Sequence, residues 1–153
     1  QHYAYQTPAD NSYSKSPLDV PSATFPEKAS EFEAQTAIGG GPVLINKGKI
    51  VDTWKEELFE VGGVEPASSQ PRTAVGVTSD KKMIMFVCEG RNMTEGVKGM
   101  TTAEVAEILK DLGCVEAINL DGGGSTCMLV NGKETIKVSD GAQRAVASAV
   151  YFK

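Results

Sequence analysis

Residues 117–126 read Ala-Ile-Asn-Leu-Asp-Gly-Gly-Gly-Ser-Thr, so an apolar strand stops at Asp121 and runs into three consecutive glycines. Glycine loses more conformational freedom on folding than any other residue, and in return it offers positive φ and close approach of backbone to a neighbour. A run of three at a strand end therefore needs a cause. The N–H groups of Gly122, Gly123 and Gly124 could converge on an anion, with the Ser125 and Thr126 hydroxyls as further donors and Asp121 at the rim. The plainer alternative is a glycine turn that only reverses the chain between Leu120 and Met128. A nucleotide P-loop is excluded, because the glycines are not followed by the lysine that motif requires.

Composition narrows the function classes. The 153 residues suit one soluble domain, and a formal net charge of -5 argues against nucleic acid as a partner, which wants a basic face. His2 is the only histidine, which rules out histidine triads and multi-histidine zinc sites. No other ligand set has convincing spacing, so neither a cofactor nor an essential metal is expected. Cys88, Cys114 and Cys127 lack Cys-x-x-Cys spacing and lie in or beside apolar runs, as buried free thiols do; one disulfide with a leftover thiol stays open. No apolar stretch reaches the about 20 residues of a membrane span. The chain opens on Gln1, and the expectation is a processed or partial product.

Along the chain, residues 1–34 mix Pro, Ser, Thr, Asp, Glu and three tyrosines without a sustained period, and they read as an extended or poorly ordered segment ahead of a domain over 35–153. Strand character begins at Gln35–Ile38, breaks at Gly39-Gly40-Gly41-Pro42, resumes at Val43–Ile45 and turns through Asn46–Lys49 into Ile50-Val51. The earlier glycine run taken alone favours a packing role. Residues 52–70 read as a surface excursion, Arg72–Thr78 as an alternating strand, and Met83–Cys88 as a strand buried on both faces. Thr101 and Glu104 form a capping-box pair opening a helix to Leu112; Val105, Ile108, Leu109 and Leu112 make its stripe and Gly113 ends it. Capping accounts for Glu104, which leaves it out of the catalytic candidates. Strands follow at Val115–Leu120 and Cys127–Val130, then an Asn131-Gly132 hairpin into Glu134–Val138 and a last strand over Ala145–Phe152. The fold class is α+β: a mixed sheet with a β-α-β crossover and hairpins, and few helices packed on it.

A crossover of this kind links parallel strands, so the strands at 83–88 and 115–120 end at the same sheet edge. Glu89 and Arg91 leave one, Asp121 and the glycine loop the other. As neighbours about 4.8 Å apart, the two strands would bring two carboxylates and an arginine beside the loop. Alternatively, Glu89 and Arg91 pair with each other on a solvated loop. Arg72 and Arg144, each just before a strand, are further candidates to grip a phosphate, or else ordinary surface residues.

These residues resemble the phosphodiester glycosidase family. The segments that carry the resemblance are Gly40–Leu44 with the Asn46–Lys49 turn, Pro71–Gly76, Glu89-Gly90-Arg91, Gly99–Thr101 with Glu104, Ala117–Thr126, and Ser139-Asp140-Gly141 with Arg144–Ala147, in order over residues 38–152. Three positions depart from the family pattern: Glu89 for a usual Asp, Ala145 for a frequent Pro and Ser148 for a frequent Asn. An earlier Ala-Ile-Asn-Gly-Gly-Phe-like segment has no counterpart in residues 1–37, so the chain is expected to be the latter part of a domain whose N-terminal half is a candidate partner.

The resemblance implies hydrolysis of a sugar phosphodiester at the anomeric carbon, releasing sugar and a phosphate monoester. Such a reaction needs a carboxylate at the sugar and a grip on the phosphate. The expected roles are Asp121 as base or nucleophile and Glu89 as second carboxylate or as its orienter. Arg72, Arg91, Arg144, the amides of Gly122, Gly123 and Gly124, and the hydroxyls of Ser125 and Thr126 would hold phosphate or sugar. The partner is a sugar-phosphate or glycan substrate, and the location is secreted or cell envelope by the same resemblance. The alternatives are a non-catalytic module binding phosphorylated glycans, and a structural domain in which the glycines only permit close packing.

Overall fold

The computed structural model describes residues 3–4, 30–31, 33–57, 59 and 63–152, in two compact units that divide between Gly39 and Gly40. In the first unit, β1 (Tyr3–Ala4) pairs antiparallel with β2 (Ser30–Glu31), Tyr3 opposite Glu31. Most of the segment expected to be extended lies outside the described residues. Gln35–Ile38 is not a strand: it forms a bend and exposed coil, with no ladder partner among the described residues.

The second unit is a five-stranded sheet with a helix on one face. Its strands are β3 (Val43–Asn46), β4 (Lys49–Ile50), β5 (Arg72–Thr78), β6 (Met83–Cys88) and β7 (Cys114–Asn119), in the spatial order β4-β3-β7-β5-β6. Helix α1 (Thr102–Asp111) connects β6 to β7. Both strands run antiparallel to β5, hence parallel to each other, as a crossover demands. They are not neighbours, because β5 lies between them. The α+β class with few helices is therefore as expected, but the intervening strand sets the two strand ends about 9–10 Å apart instead of about 4.8 Å.

Local chemistry explains the elements. The Thr101 hydroxyl accepts from the Glu104 amide at 3.2 Å, and the Glu104 carboxylate accepts from the Thr101 amide at 2.7 Å, so both halves of the capping box are made. The Thr101 amide and hydroxyl, both donating to it, hold the Glu104 carboxyl below its ordinary range. Gly113, at φ +86, ends the helix in the left-handed conformation. Strand β5 alternates buried and half-buried residues along its length. Ala74 on its buried face joins Leu44, Ile45, Val105, Ala106, Leu109, Cys114 and Ala117 in the core beneath α1. Full burial of a side chain such as Leu109 or Val105 contributes about 1.5–3 kcal/mol. The opposite sheet face is apolar, and half-buried Val75, Val77 and Ile118 line a groove of about 250 Å³.

Two expectations toward the C-terminus change. The hairpin forms as Asn131-Gly132 dictates, both residues at positive φ, but it is short: β8 (Leu129–Val130) against β9 (Lys133–Glu134). Ala145–Phe152 alternates small and large residues yet is not a strand. It pairs with no strand among the described residues and leaves Val146, Tyr151 and Phe152 more than half exposed. Alternation supplies a face to bury, and a strand forms only where a ladder partner is present. All three cysteines are free thiols, Cys114 buried and the other two half-buried. No helix among the described residues is long and apolar enough to cross a membrane.

Candidate functional site

Where β7 ends, the backbone is stapled before Asp121 emerges. Asn119 is 2% exposed and donates from Nδ2 to the carbonyls of Gly41 and Leu120, each at 2.9 Å, while the Gly41 amide donates to the Asn119 carbonyl at 2.8 Å. A Cβ on Gly40 would lie 2.5 Å from the Asn119 carbonyl oxygen. The first glycine run thus brings two backbones into contact, the packing role expected of it. Asp121 then projects exposed, and its carboxylate makes no hydrogen bond or ion pair among the described residues.

The three glycines after Asp121 have three different causes. A Cβ on Gly122 would stand 2.8 Å from the Pro71 carbonyl oxygen, so backbone excludes a side chain there. Gly123 sits at φ +57, and the Arg91 guanidinium lies over it, with Nη2 3.0 Å from where a Cβ would be. Gly124 is buried beneath the ion pair of Asp140 and Arg144, whose charged ends occupy the space of a side chain. Residues Gly123–Ser125 form a single 3-10 turn.

This geometry corrects the expectation of converging amides. The Gly123 amide is spent on the Pro71 carbonyl at 2.9 Å, and the Ser125 and Thr126 amides close the turn onto Gly122 and Gly123. The Thr126 side chain is 1% exposed, against Thr73 Oγ1 at 3.4 Å, and is part of the packing. What faces solvent above the loop is guanidinium rather than N–H.

Arg91 and Arg144 reach the loop from different segments. Arg91 and Asn92 both adopt left-handed backbone, φ 56 and 55, which non-glycine residues rarely do and which recurs at functional positions. The loop they open is closed by the Arg91 and Asn92 amides on Lys98 and Val97 carbonyls and by a bridge between Gln70 and Met100. Arg91 Nε donates to Gln70 Oε1 at 3.0 Å, and its Nη1 lies 3.5 Å from Ser139 Oγ and 3.8 Å from Asp140 Oδ1. Arg144 donates from Nε and Nη2 to Asp140 Oδ2 at 3.0 and 2.5 Å, and Nη1 lies 3.4 Å from Ser125 Oγ.

Besides Thr126, two expected site residues are not part of this cluster. Arg72 is 2% exposed, and four of its donors are taken by backbone carbonyls: Nε by Met100, Nη1 by Val64, and Nη2 by Glu65 and Ser68, all within 2.7–2.8 Å. Burial draws its pKa down from the usual arginine value, and its work is to hold the 63–70 loop to the sheet. Glu89 turns toward the β9 side, where Oε2 accepts from the Lys137 amide at 3.1 Å. The Thr94 hydroxyl and that amide hold its carboxyl below the ordinary glutamate range. It pairs with neither Asp121 nor Arg91, so the solvated Glu89–Arg91 pair also does not form. The strand between β6 and β7 is the physical reason that Glu89 and Asp121 are kept apart.

Asp140, Ser139, Gln70 and Asn119 carry no role in the sequence reading. For Asp140 a signal exists, since it precedes Arg144 by four residues in a Ser-Asp-Gly turn. Nothing in spacing alone could have placed Gln70 against Arg91.

A sequence model described as "phosphodiester glycosidase" matches residues 12–153. Among curated proteins, the chain is 34% identical to N-acetylglucosamine-1-phosphodiester alpha-N-acetylglucosaminidase of Mus musculus over 69% of its own length and 20% of that protein's. It is 35% identical to the SPbeta prophage-derived uncharacterized protein YomE of Bacillus subtilis over 52% of its length and 12% of that protein's. The chain thus spans between about a tenth and a fifth of the curated relatives it matches. The solved catalytic domain of the zebrafish N-acetylglucosamine-1-phosphodiester alpha-N-acetylglucosaminidase, auto-inhibited by its pro-peptide, superimposes with a TM-score of 0.56 at 34% identity, covering 67% of this chain and 34% of that one. A hypothetical protein from Synechocystis gives a TM-score of 0.58 at 31% identity, over 69% of this chain and 19% of that one. The glycine loop, the arginines above it and these likenesses converge on one conclusion: the chain belongs to the phosphodiester glycosidase family.

Proposed function

We propose that the protein hydrolyses a sugar phosphodiester at the bond to the anomeric carbon, releasing free sugar and a phosphate monoester. The observation that supports this most directly is the convergence of Arg91 and Arg144 on glycines that immediately follow an exposed, unengaged Asp121. Two guanidiniums suit the phosphate oxygens, which they grip with paired N–H donors. Asp121 serves as base or nucleophile at the sugar, and the Ser125 hydroxyl is a secondary donor. A phosphate leaves readily, so one carboxylate with these donors is enough to begin from, without Glu89.

In this reading the partners are a sugar-phosphate or glycan substrate and the N-terminal half of the same domain. The apolar sheet face of Val75, Val77 and Ile118 is the surface that half would cover. The location is secreted or cell envelope, and the chemistry needs no cofactor.

The test is Asp121→Asn in the complete protein, assayed for free sugar from a sugar phosphodiester. A loss of about 100-fold or more in kcat is expected for a residue acting in proton transfer or nucleophilic attack. Near-normal turnover would remove Asp121 from the mechanism. One observation favours the rival reading of a glycan-binding module without turnover: Glu89 is engaged with the Lys137 amide, so that Asp121 is the one carboxylate at the loop with no partner among the described residues. A binder gives ligand occupancy with no sugar released, so the same assay run beside a binding titration separates the two.

A further inference from the structure

The Asp140 carboxylate lies between two cations at the very place where an anion is expected to bind. Arg144 holds its Oδ2 through two donors, and Arg91 approaches Oδ1 at 3.8 Å. These side chains face solvent, at 36% exposure for Asp140 and 47% and 50% for Arg91 and Arg144. The pair is seated directly on Gly124, so the carboxylate has a fixed seat in the loop. The two arginines and Asp140 sum to one positive charge, where the arginines alone would present two.

That sum matters for the reaction if the loop is a phosphate site, the reading on which this inference rests. A phosphodiester has one ionisable oxygen and carries a single negative charge. The monoester left after cleavage has a second pKa of about 6 and carries close to two charges at neutral pH. With Asp121 set against the sugar and left out of the sum, the phosphate subsite formed by the two arginines and Asp140 holds one net positive charge and is neutralised by the diester. The monoester overfills it and meets the Asp140 carboxylate as a like charge, an interaction screened by solvent at this exposure but not abolished.

We infer that Asp140 is a specificity-determining residue: its ion pair with Arg144, shared with Arg91, sets the anion site to accept a monoanionic phosphodiester and to reject a dianionic phosphate monoester. The same residue would then favour release of product over its retention. No bond to Asp140 forms or breaks in this role. It acts through charge, and substitutes that keep or remove the charge will separate that role from a structural one.

The experiment is calorimetric titration of the complete protein with two probes, inorganic phosphate and dimethyl phosphate, at about pH 8, where the first is mainly dianionic and the second monoanionic. Asp140→Asn keeps the shape and an acceptor for Arg144 and removes the charge. It is expected to tighten inorganic phosphate by at least ~10-fold relative to dimethyl phosphate, as one added net charge favours the dianion. Asp140→Glu should leave that ratio within ~2-fold, and Arg91→Gln, which lowers the site charge by one, should move it the other way. Thermal melts of each variant check folding; if Asp140→Asn melts early, the Arg91→Gln arm still decides the sign. Binding of both probes with an unchanged ratio in Asp140→Asn and Arg91→Gln overturns the inference and leaves the phosphate site standing. If neither probe binds the unmodified protein or any variant, the phosphate-site reading falls first and the inference with it.

Discussion

Arg72 and Arg144 flank the same glycine loop and are used in opposite ways. Arg72 lies at the start of β5, next to the Pro71 carbonyl that abuts Gly122 and receives the Gly123 amide, and its guanidinium is sealed inside four carbonyl acceptors. Arg144 rests on Gly124 with half its side chain in solvent and one carboxylate for a partner. An arginine whose donors are saturated by backbone is a part of the fold. One whose only strong partner is an exchangeable anion has donors to offer a ligand. Residue type and nearness to the loop do not distinguish the two; the acceptors do.

The sharpest way to break this contrast is to remove Arg72. Arg72→Leu removes the guanidinium donors from the carbonyls of Val64, Glu65, Ser68 and Met100, of which Glu65 and Met100 keep one backbone N–H each, and a loss of about 3–5 kcal/mol is expected in chemical denaturation. Lysine should not rescue it, because a point charge cannot serve four carbonyls spread around a planar fork. A loss under about 1 kcal/mol, the range of an ordinary surface substitution, would return Arg72 to the list of ligand-binding residues.

The glycines allow the same contrast to be drawn within one loop. Gly122→Ala drives a methyl against the Pro71 carbonyl, backbone of a residue whose nitrogen and ring are themselves packed close to Gly90, and should cost ~1–3 kcal/mol. Gly124→Ala meets only the ends of two flexible side chains, Arg144 and Asp140, so stability should change by less than ~1 kcal/mol. Its effect falls on the anion site instead, where displacing the ion pair should weaken phosphate binding ~10-fold, the worth of a charge-assisted hydrogen bond or two. Parallel melts and titrations of the two variants read both effects. Equal stability losses would mean that the glycines are there for packing alone.

Much of this was legible in the chain, for identifiable reasons. Arg72–Thr78, the Thr101–Glu104 capping box and the Asn131-Gly132 turn are set by local rules, and they fall where those rules put them. Met83–Cys88 is a strand as expected but is not buried on both faces: it forms the edge of the sheet, with Met83 exposed and the rest half-buried, because an apolar run does not say how many neighbours a strand will have. That the crossover links parallel strands was also readable, since β6 and β7 both run antiparallel to β5. The strand lying between them was not, because order within a sheet depends on contacts distant in sequence. That one insertion separated Glu89 from Asp121. Ala145–Phe152 failed for the complementary reason: its alternation is genuine, but no strand among the described residues lies beside it to complete a ladder. Arg72 misleads because a strand-end arginine looks the same in sequence whether its loop turns carbonyls toward it or away. The role of Asp140 needed the ion pair to be seen on Gly124.

The smallest expected effect concerns the charge that lies near Arg72. Asp52 is half-buried and accepts from the Thr102 hydroxyl at 2.9 Å; burial raises its carboxyl above 3.8, while Thr102 and then the Arg72 charge oppose the rise. Raised in the folded state, Asp52 binds protons there more tightly than in the unfolded chain. Stability therefore falls as pH climbs from about the unfolded value through the folded one, and its cost is complete above that. Glu89, lowered by Thr94 and Lys137, contributes with the opposite sign. To isolate Asp52, the stability of Asp52→Asn is subtracted from that of the unmodified protein at each pH, which cancels every other group. The difference should decline modestly with rising pH through the weakly acidic range. A difference that grew instead would mean that the Arg72 charge outweighs burial at Asp52. Arg72 would then be acting as an ion-pair partner, and the line drawn between it and Arg144 would have to be moved.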